Sequence, residues 1–185
     1  LAFGDGSVYL EAYLPQARHI EVQILADMHG NVLHLGTREC TLQRKNQKLI
    51  EEAPAANIPE AIRQKIEQAA VDSARAVGYQ NAGTVEFLLT RDGRFFFMEM
   101  NARIQVEHPI TESIFGLDLI KAQIQVALGH HIRMTQESLI PRGHAIECRI
   151  NAECPAENFR PSPGVIRSMC LPGGNGIRID SGYAT

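Results

Sequence analysis

Hydrophobic and polar positions alternate most cleanly over residues 18–27. Ile20, Val22 and Ile24 fall on one side of an extended chain there, and His19, Glu21 and Gln23 on the other. Met28-His-Gly-Asn turns the chain into an apolar run at 32–35, so an antiparallel hairpin with one polar face is predicted. Over 59–77 the spacing changes to that of an amphipathic helix. Pro59 sits in its first turn, Ile62, Ile66, Ala69, Ala70 and Val77 lie on one side, Arg75 is near the end and Gly78 is the stop. A second helix is predicted over 118–128, with Leu117, Ile120, Ile124 and Leu128 inward and Gly129 closing it. Residues 142–153 alternate again, placing Ile146, Cys148 and Ile150 opposite Glu147, Arg149 and Asn151. Shorter strand-like runs occupy 8–14, 165–171 and 177–180, and 158–164 is a proline-rich loop.

Residues 84–89 run into Thr90-Arg-Asp-Gly and return through Arg94-Phe-Phe-Phe, the pattern of a hairpin with an Asp-Gly type I′ turn. With Asp92 and Gly93 as the turn, Arg91 faces Arg94, and counting back puts Glu86 opposite Glu99. Period-two counting also puts Phe95, Phe97, Glu99 and Asn101 on one face, so that a carboxylate and an amide continue an apolar surface. Like charges facing each other across a ladder repel. Either a cation lies between them, or both are solvated glutamates at strand ends. If a cation, the all-oxygen set of Glu86, Glu99 and Asn101 suits Mg²⁺ or Mn²⁺ rather than zinc.

Past Asn101 the chain presents Arg103, Gln105, Glu107 and His108 before Pro109. An arginine is a fixed fork for a planar oxyanion and a nearby carboxylate can take a proton; the plainer alternative is a surface ion pair. Residues 41–48 are too polar for a core and too irregular for a helix face. With Arg44, Lys45 and Lys48 they form either a solvated loop or one that balances anion charge.

The run Glu99-Met-Asn-Ala-Arg-Ile-Gln-Val-Glu-His-Pro-Ile-Thr-Glu closely resembles the signature of biotin carboxylases, the ATP-grasp component of biotin-dependent carboxylases such as acetyl-CoA carboxylase. His19-Ile-Glu-Val-Gln, Gln43-Arg-Lys-Asn-Gln-Lys followed by Glu51-Glu-Ala-Pro, and Arg142-Gly-His-Ala-Ile-Glu-Cys-Arg-Ile-Asn-Ala-Glu are similar to that family in the same order. The resemblance implies an α+β fold: the end of the ATP-grasp lid over 1–13, the ATP-grasp C-terminal subdomain with a mainly antiparallel sheet over 14–141, and the beginning of the biotin carboxylase C-terminal domain over 142–185.

It also implies roles. Glu11 and Leu14 would lie at the adenine end of the ATP pocket, His19 near the ribose, and Gln43 and Asn46 on the nucleotide. Glu86, Glu99 and Asn101 would hold Mg²⁺ or Mn²⁺. Lys48, Arg103 and the backbone at Gln105 and Val106 would orient bicarbonate, Glu107 would deprotonate it, and Arg149 would stabilise negative charge on the biotin ureido oxygen. Two departures stand out: Ala12 where many members have lysine, and Asn46 where many have histidine.

No glycine-rich lid loop precedes Glu11, and no Ala-Met-Lys-Met biotin acceptor is present. The chain is therefore read as an excised piece, inactive alone. Biotin would arrive on a separate subunit or carrier domain. A carboxyltransferase would be a further partner, and a homodimer would form through this region. The final acceptor, whether an acyl-CoA, pyruvate or urea, is set outside these residues. Two rivals are a carbamoyl-phosphate synthetase, which shares the metal constellation but not the 103–108 and 142–153 motifs, and a non-catalytic folding or dimerisation module.

Composition narrows the rest. A chain of 185 residues that is 44% apolar can bury a substantial core. Its net charge of −3 leaves no basic footprint for nucleic acid. No apolar run reaches membrane-spanning length, so a cytoplasmic or mitochondrial-matrix protein is expected. The four cysteines show no zinc spacing and are expected to be reduced, with Cys148 in the core and Cys40 more accessible. His29, His34, His130 and His131 are expected at the surface.

Overall fold

The computed structural model describes Gly4 and residues 6–183; positions 1–3 and 5, at the head of the expected lid segment, and 184–185 lie outside the described residues. Two compact units emerge, residues 1–149 and 150–185.

The first unit is a six-stranded sheet. Its strands are β1 (Arg18–Ala26), β2 (Val32–Arg44), β3 (Gln47–Ala53), β4 (Asn81–Leu89), β5 (Phe95–Asn101) and β6 (Ala145–Cys148). They run in the order β5-β4-β1-β2-β3-β6, and every neighbouring pair is antiparallel. Three helices accompany them: α1 (Glu60–Ala76), α2 (His108–Phe115) and α3 (Leu119–Ala127). None is long and apolar enough to cross a membrane among the described residues.

Strand alternation produces a core on each face of the sheet, beside a smaller cluster of Ala53 with Ile110 and Ile114 of α2. Ile20, Val22 and Ile24 of β1 meet Val85, Phe87 and Leu89 of β4 and the buried face of α1, which is Ile66, Ala70, Val71 and Ala74. On the other side Leu25, Leu35 and Ala82 pack against Leu119 and Val126 of α3. With helices against both faces, the polar side of β1 is not solvated: Glu21 and Gln23 are fully buried.

Several expectations change. Residues 41–48 are not a loop: β2 continues to Arg44, and Lys45 and Asn46, both at positive φ, form the two-residue turn into β3. The 84–101 hairpin closes through three residues rather than two, because Thr90 N–H donates to the Arg94 carbonyl (2.8 Å) and Gly93 takes φ +82°. Arg91 therefore does not face Arg94. The pairing error is cancelled by a bulge at Met98, which lets Phe87 pair with Phe97 and Glu86 with Glu99. The same bulge splits the predicted face. Phe95 and Met100 join the α1 core, and Phe97 meets the Phe87 ring edge-on, whereas Glu99 and Asn101 turn to the other side.

Helix α3 is rotated from its predicted orientation. Leu119 and Val126 are inward, while Ile120, Ile124 and Leu128 are exposed. Val77, predicted inward, lies exposed just past α1. Helix α2 has no counterpart in the predicted elements; its first turn contains Pro109, and it ends on Gly116 at φ +65°. Cys148 and Ile146 are exposed and Cys40 is buried, reversing both cysteine expectations. All four cysteines are free thiols. His34 is half-buried rather than superficial, and its backbone N–H donates to Gln136. Residues 8–14 form no strand.

The second unit contains a short ladder of β7 (Glu153–Cys154) with β8 (Arg160–Pro161). The runs 165–171 and 177–180 are not regular strands.

Candidate active site

Most buried polar groups of the first unit, Glu21, Gln23, Arg38, Thr84 and Glu86 among them, lie on the sheet face opposite α1. Arg38, directly across the β1–β2 ladder from Glu21, is completely buried. Its guanidinium donates to Glu21 (3.0 and 3.1 Å), Gln23 (2.7 Å), Thr84 (3.0 Å), Thr111 (3.1 Å) and Gln105 (3.0 Å). A buried cation is tolerable only when its donors are satisfied in this way. Arg38 thereby fixes side chains from β1, β4, α2 and the segment before α2.

Lys48 continues this network. Its ammonium donates to Glu86 (3.0 Å), Glu107 (2.8 Å) and Glu21. Burial opposes its charge, but Glu21 and Glu107 outweigh burial and hold it protonated well above the usual lysine range. Burial likewise works against an ionised Glu21, yet Arg38, His19 and Lys48 keep its carboxyl far below the ordinary value. His19 Nε2 lies 2.9 Å from Glu86 and 3.3 Å from Glu21. Despite burial, these two carboxylates push the imidazole up to about 9. Glu86 is lowered, with burial opposed chiefly by the His19 imidazole beside it.

Glu86 and Glu99 project on the same side of the hairpin, with Asn101 between them: its amide nitrogen donates to Glu86 (3.0 Å) and to Glu99 (3.1 Å). Gln105 adds a further bond to Glu86 (2.9 Å). The donor set is entirely oxygen once the Asn101 amide is turned to present its carbonyl, as a hard divalent cation requires. His19, Glu21 and Glu86 also bring one donor atom each within 4.8 Å of one another.

Glu107, at the head of α2, receives Lys48 on one oxygen and Arg149 on the other (2.9 Å). Arg149 follows β6, and its Nε donates to the fully buried Glu51 on β3 (2.6 Å). Among the described residues its ion pairs are with Glu51 and Glu107, and none is with Glu147 two positions before it. Gln43 reaches His19 Nδ1 (3.1 Å) and the Cys40 carbonyl (2.8 Å).

Lys48, Glu86, Glu99, Asn101, Gln105, Glu107, Arg149, His19 and Gln43 are thus connected. Other candidates stand apart. Glu11 is exposed and Leu14 half-buried in a segment without regular secondary structure, and Asn46 is at an exposed turn. Val106 is exposed, and Arg103 donates to the neighbouring Ile104 carbonyl (3.1 Å).

Residue-by-residue reasoning missed Arg38, Glu21, Glu51 and Glu147 as members of the cluster. Register alone does not reveal Arg38: carried outward from the Ala26–Val32 pair it sets Thr37 opposite Glu21, and the shift between Val22 and Ile24 brings Arg38 there instead.

Residues 1–135 match the family model "Carbamoyl-phosphate synthase L chain, ATP binding domain", and residues 147–185 match "Biotin carboxylase C-terminal domain". The chain is 57% identical over 180 residues to a biotin carboxylase of Nostoc sp., covering 97% of this chain and 40% of that protein. It is 58% identical over 181 residues to a pyruvate carboxylase subunit from Methanothermobacter thermautotrophicus, covering 98% and 37%. Among solved structures, the Campylobacter jejuni biotin carboxylase in complex with a β,γ-ATP ligand superposes with a TM-score of 0.90 at 47% identity, over 96% of this chain and 39% of that one. The biotin carboxylase domain of a thermophilic 2-oxoglutarate carboxylase, bound to bicarbonate, gives 0.89 at 48%, over 96% and 40%. The chain therefore spans about two fifths of the length of these relatives.

Proposed function

The chain belongs to the biotin carboxylase family, and from that premise we propose that it supplies the bicarbonate-activating and biotin-facing half of an ATP-dependent biotin carboxylase. The observation that carries this reading is the convergence of Lys48 and Arg149 on the two oxygens of Glu107, beside the Glu86, Glu99 and Asn101 group. Two fixed cations flanking one carboxylate suit an anionic substrate that gives up a proton while negative charge accumulates around it.

In the proposed mechanism Lys48, Arg103 and the backbone at Gln105 and Val106 hold bicarbonate, with Arg103 swinging from its Ile104 contact to do so. Glu107 accepts the bicarbonate hydroxyl proton. The resulting anion attacks the γ-phosphate of ATP, displacing ADP and giving carboxyphosphate; this breaks into CO₂ and phosphate, the phosphate takes the N1′ proton of biotin, and the N1′ nitrogen bonds the CO₂. Arg149 faces the ureido oxygen as charge develops there. His19 and Gln43 line the nucleotide side, joined by Asn46, Glu11 and Leu14 when the nucleotide is bound. Glu86, Glu99 and Asn101 would hold Mg²⁺ or Mn²⁺, whose contribution is to neutralise phosphate charge. The buried Arg38 network preorganises Glu21, Gln105 and, through Glu21, Lys48, so that little reorientation accompanies the reaction.

The match of residues 147–185 to the biotin carboxylase C-terminal domain supports this reading over a carbamoyl-phosphate synthetase. We place the final acceptor in a carboxyltransferase partner, with biotin brought by a carrier domain. The chain would act as part of a homodimeric enzyme, with acetyl-CoA or another acyl-CoA as the acceptor we favour. In the full-length enzyme, Glu107→Gln is expected to lower bicarbonate-dependent, biotin-stimulated ADP formation by about 10²–10⁴-fold while nucleotide affinity changes little. Equal turnover in mutant and parent removes Glu107 from the proton-accepting role.

A further inference from the structure

Glu51 and Glu147 stand directly opposite each other on β3 and β6. Glu51 is fully buried and gives one oxygen to Arg149 Nε (2.6 Å). Its second oxygen, Oε2, is buried with no hydrogen-bonding partner among the described residues, and so is Oε2 of Glu147. Two ionised carboxylates in this position would carry both mutual repulsion and two unsatisfied buried acceptors. One proton removes both penalties: a carboxyl O–H becomes a donor, and the facing carboxylate is the acceptor it lacks.

We propose that Glu51 and Glu147 share a single proton at neutral pH, resident on Glu147, and that this pair acts as a positioning device for the Arg149 guanidinium. The proton is assigned to Glu147 because the Arg149 Nε donates to Glu51 and not to Glu147; burial pushes the Glu51 carboxyl up as well, and Arg149 opposes that shift. The same guanidinium reaches Glu107 through Nη2 (2.9 Å), so the placement of its Nε on Glu51 sets the angle at which the other edge is presented. The inference rests on the reading of Arg149 as the residue that faces biotin.

The groups around Glu147 are Glu51 from β3, Arg149 just beyond β6, Glu107 at the start of α2, and Arg38 from β2. Burial pushes the Glu147 carboxyl up to about 7, Glu51 and Glu107 reinforce it, and Arg149 and Arg38 oppose it. Ionisation of Glu147 puts a second negative charge beside Glu51, and the guanidinium is then drawn from Glu107 toward the pair. Because the folded state holds this proton more tightly than the unfolded chain, the pair's contribution to stability declines as pH rises from the ordinary glutamate value of 4.5 to about 7.

The test uses the full-length enzyme with Glu147→Gln and, separately, Glu51→Gln. Infrared difference spectra between pH 6 and pH 8 should show the carbonyl stretch of a protonated carboxyl in the parent and its loss in both variants. The band reports the shared proton whether or not the enzyme acts on biotin, so its absence from the parent overturns the inference and leaves the functional reading intact. In kinetics, log(kcat/KM) for free biotin should bend downward in the parent with a midpoint of about 7, and in Glu147→Gln that bend should move by about one pH unit or more, or vanish. An unchanged bend in Glu147→Gln overturns the positioning role. A parent without biotin-stimulated turnover overturns the functional reading instead.

Discussion

Asp27 shows how much one side chain organises. One of its oxygens accepts the His29 (2.9 Å) and Asn31 (3.1 Å) backbone N–H groups, and the other accepts the Asn31 amide (2.7 Å) and the Ile132 N–H (2.8 Å). It therefore ties the β1–β2 turn to the chain beyond α3. Burial works against its charge, but these donors outweigh burial and lower its carboxyl to about 2. Since the folded value lies below the ordinary 3.8, the stabilisation is present above that pH and is lost as pH falls through about 2. Asp27→Ala should cost about 2 kcal/mol at pH 7 in chemical denaturation, and the difference from the parent should shrink as the titration moves below pH 4. At this scale the sequence was informative where chemistry is visible in the residue type, as with Glu86, Glu99, Lys48 and Glu107. It was silent on Arg38, Glu51 and Glu147, whose importance comes from being buried beside one another, a property of packing that no single position displays.

Among the elements, α3 shows why periodicity alone misplaces a face. Ile120, Ile124 and Leu128 are as apolar as Leu119 and Val126, so the spacing supports two stripes, and contact with Leu25, Leu35 and Ala82 selects one of them. Leu119→Ala should therefore cost about 2–5 kcal/mol, and Ile124→Ala less than about 0.5 kcal/mol, measured by urea unfolding. Equal costs would return the helix to its predicted orientation. The 84–101 hairpin failed differently. Its existence and the Glu86–Glu99 pairing were legible, but the three-residue tip and the bulge at Met98 were not, because each shifts the count by one and the two shifts cancel at the acidic pair. A bulge has no residue signature as strong as Asp-Gly in a turn, so Phe97 and Glu99 read as neighbours on one face when they lie on two. The β2–β3 hairpin was missed for a related reason: a turn built on Lys45 and Asn46, with no glycine, reads as polar loop.

For the molecule as a whole, the four free thiols are a gauge of how tightly each region is closed. Burial lifts the Cys40 thiol far above its normal range, whereas Cys148 and Cys170 are open to solvent. With maleimide and the 185-residue chain, Cys148 and Cys170 should label first and Cys154 more slowly, with Cys40 labelling only on global unfolding. Rapid labelling of Cys40 would mean that β2 opens independently of the rest. Sheet order has a different consequence, which concerns biosynthesis. The Arg149–Glu51 bond joins residues 98 positions apart, and β6, at the edge, comes latest in the chain among the described strands of this sheet. A nascent chain emerging from the ribosome can already have paired its acidic ribbon and set the Lys48 ammonium before any of β6 has been translated. Until β6 docks, Glu107 has its lysine but not its guanidinium, so the centre is completed only when residues 145–149 join the sheet.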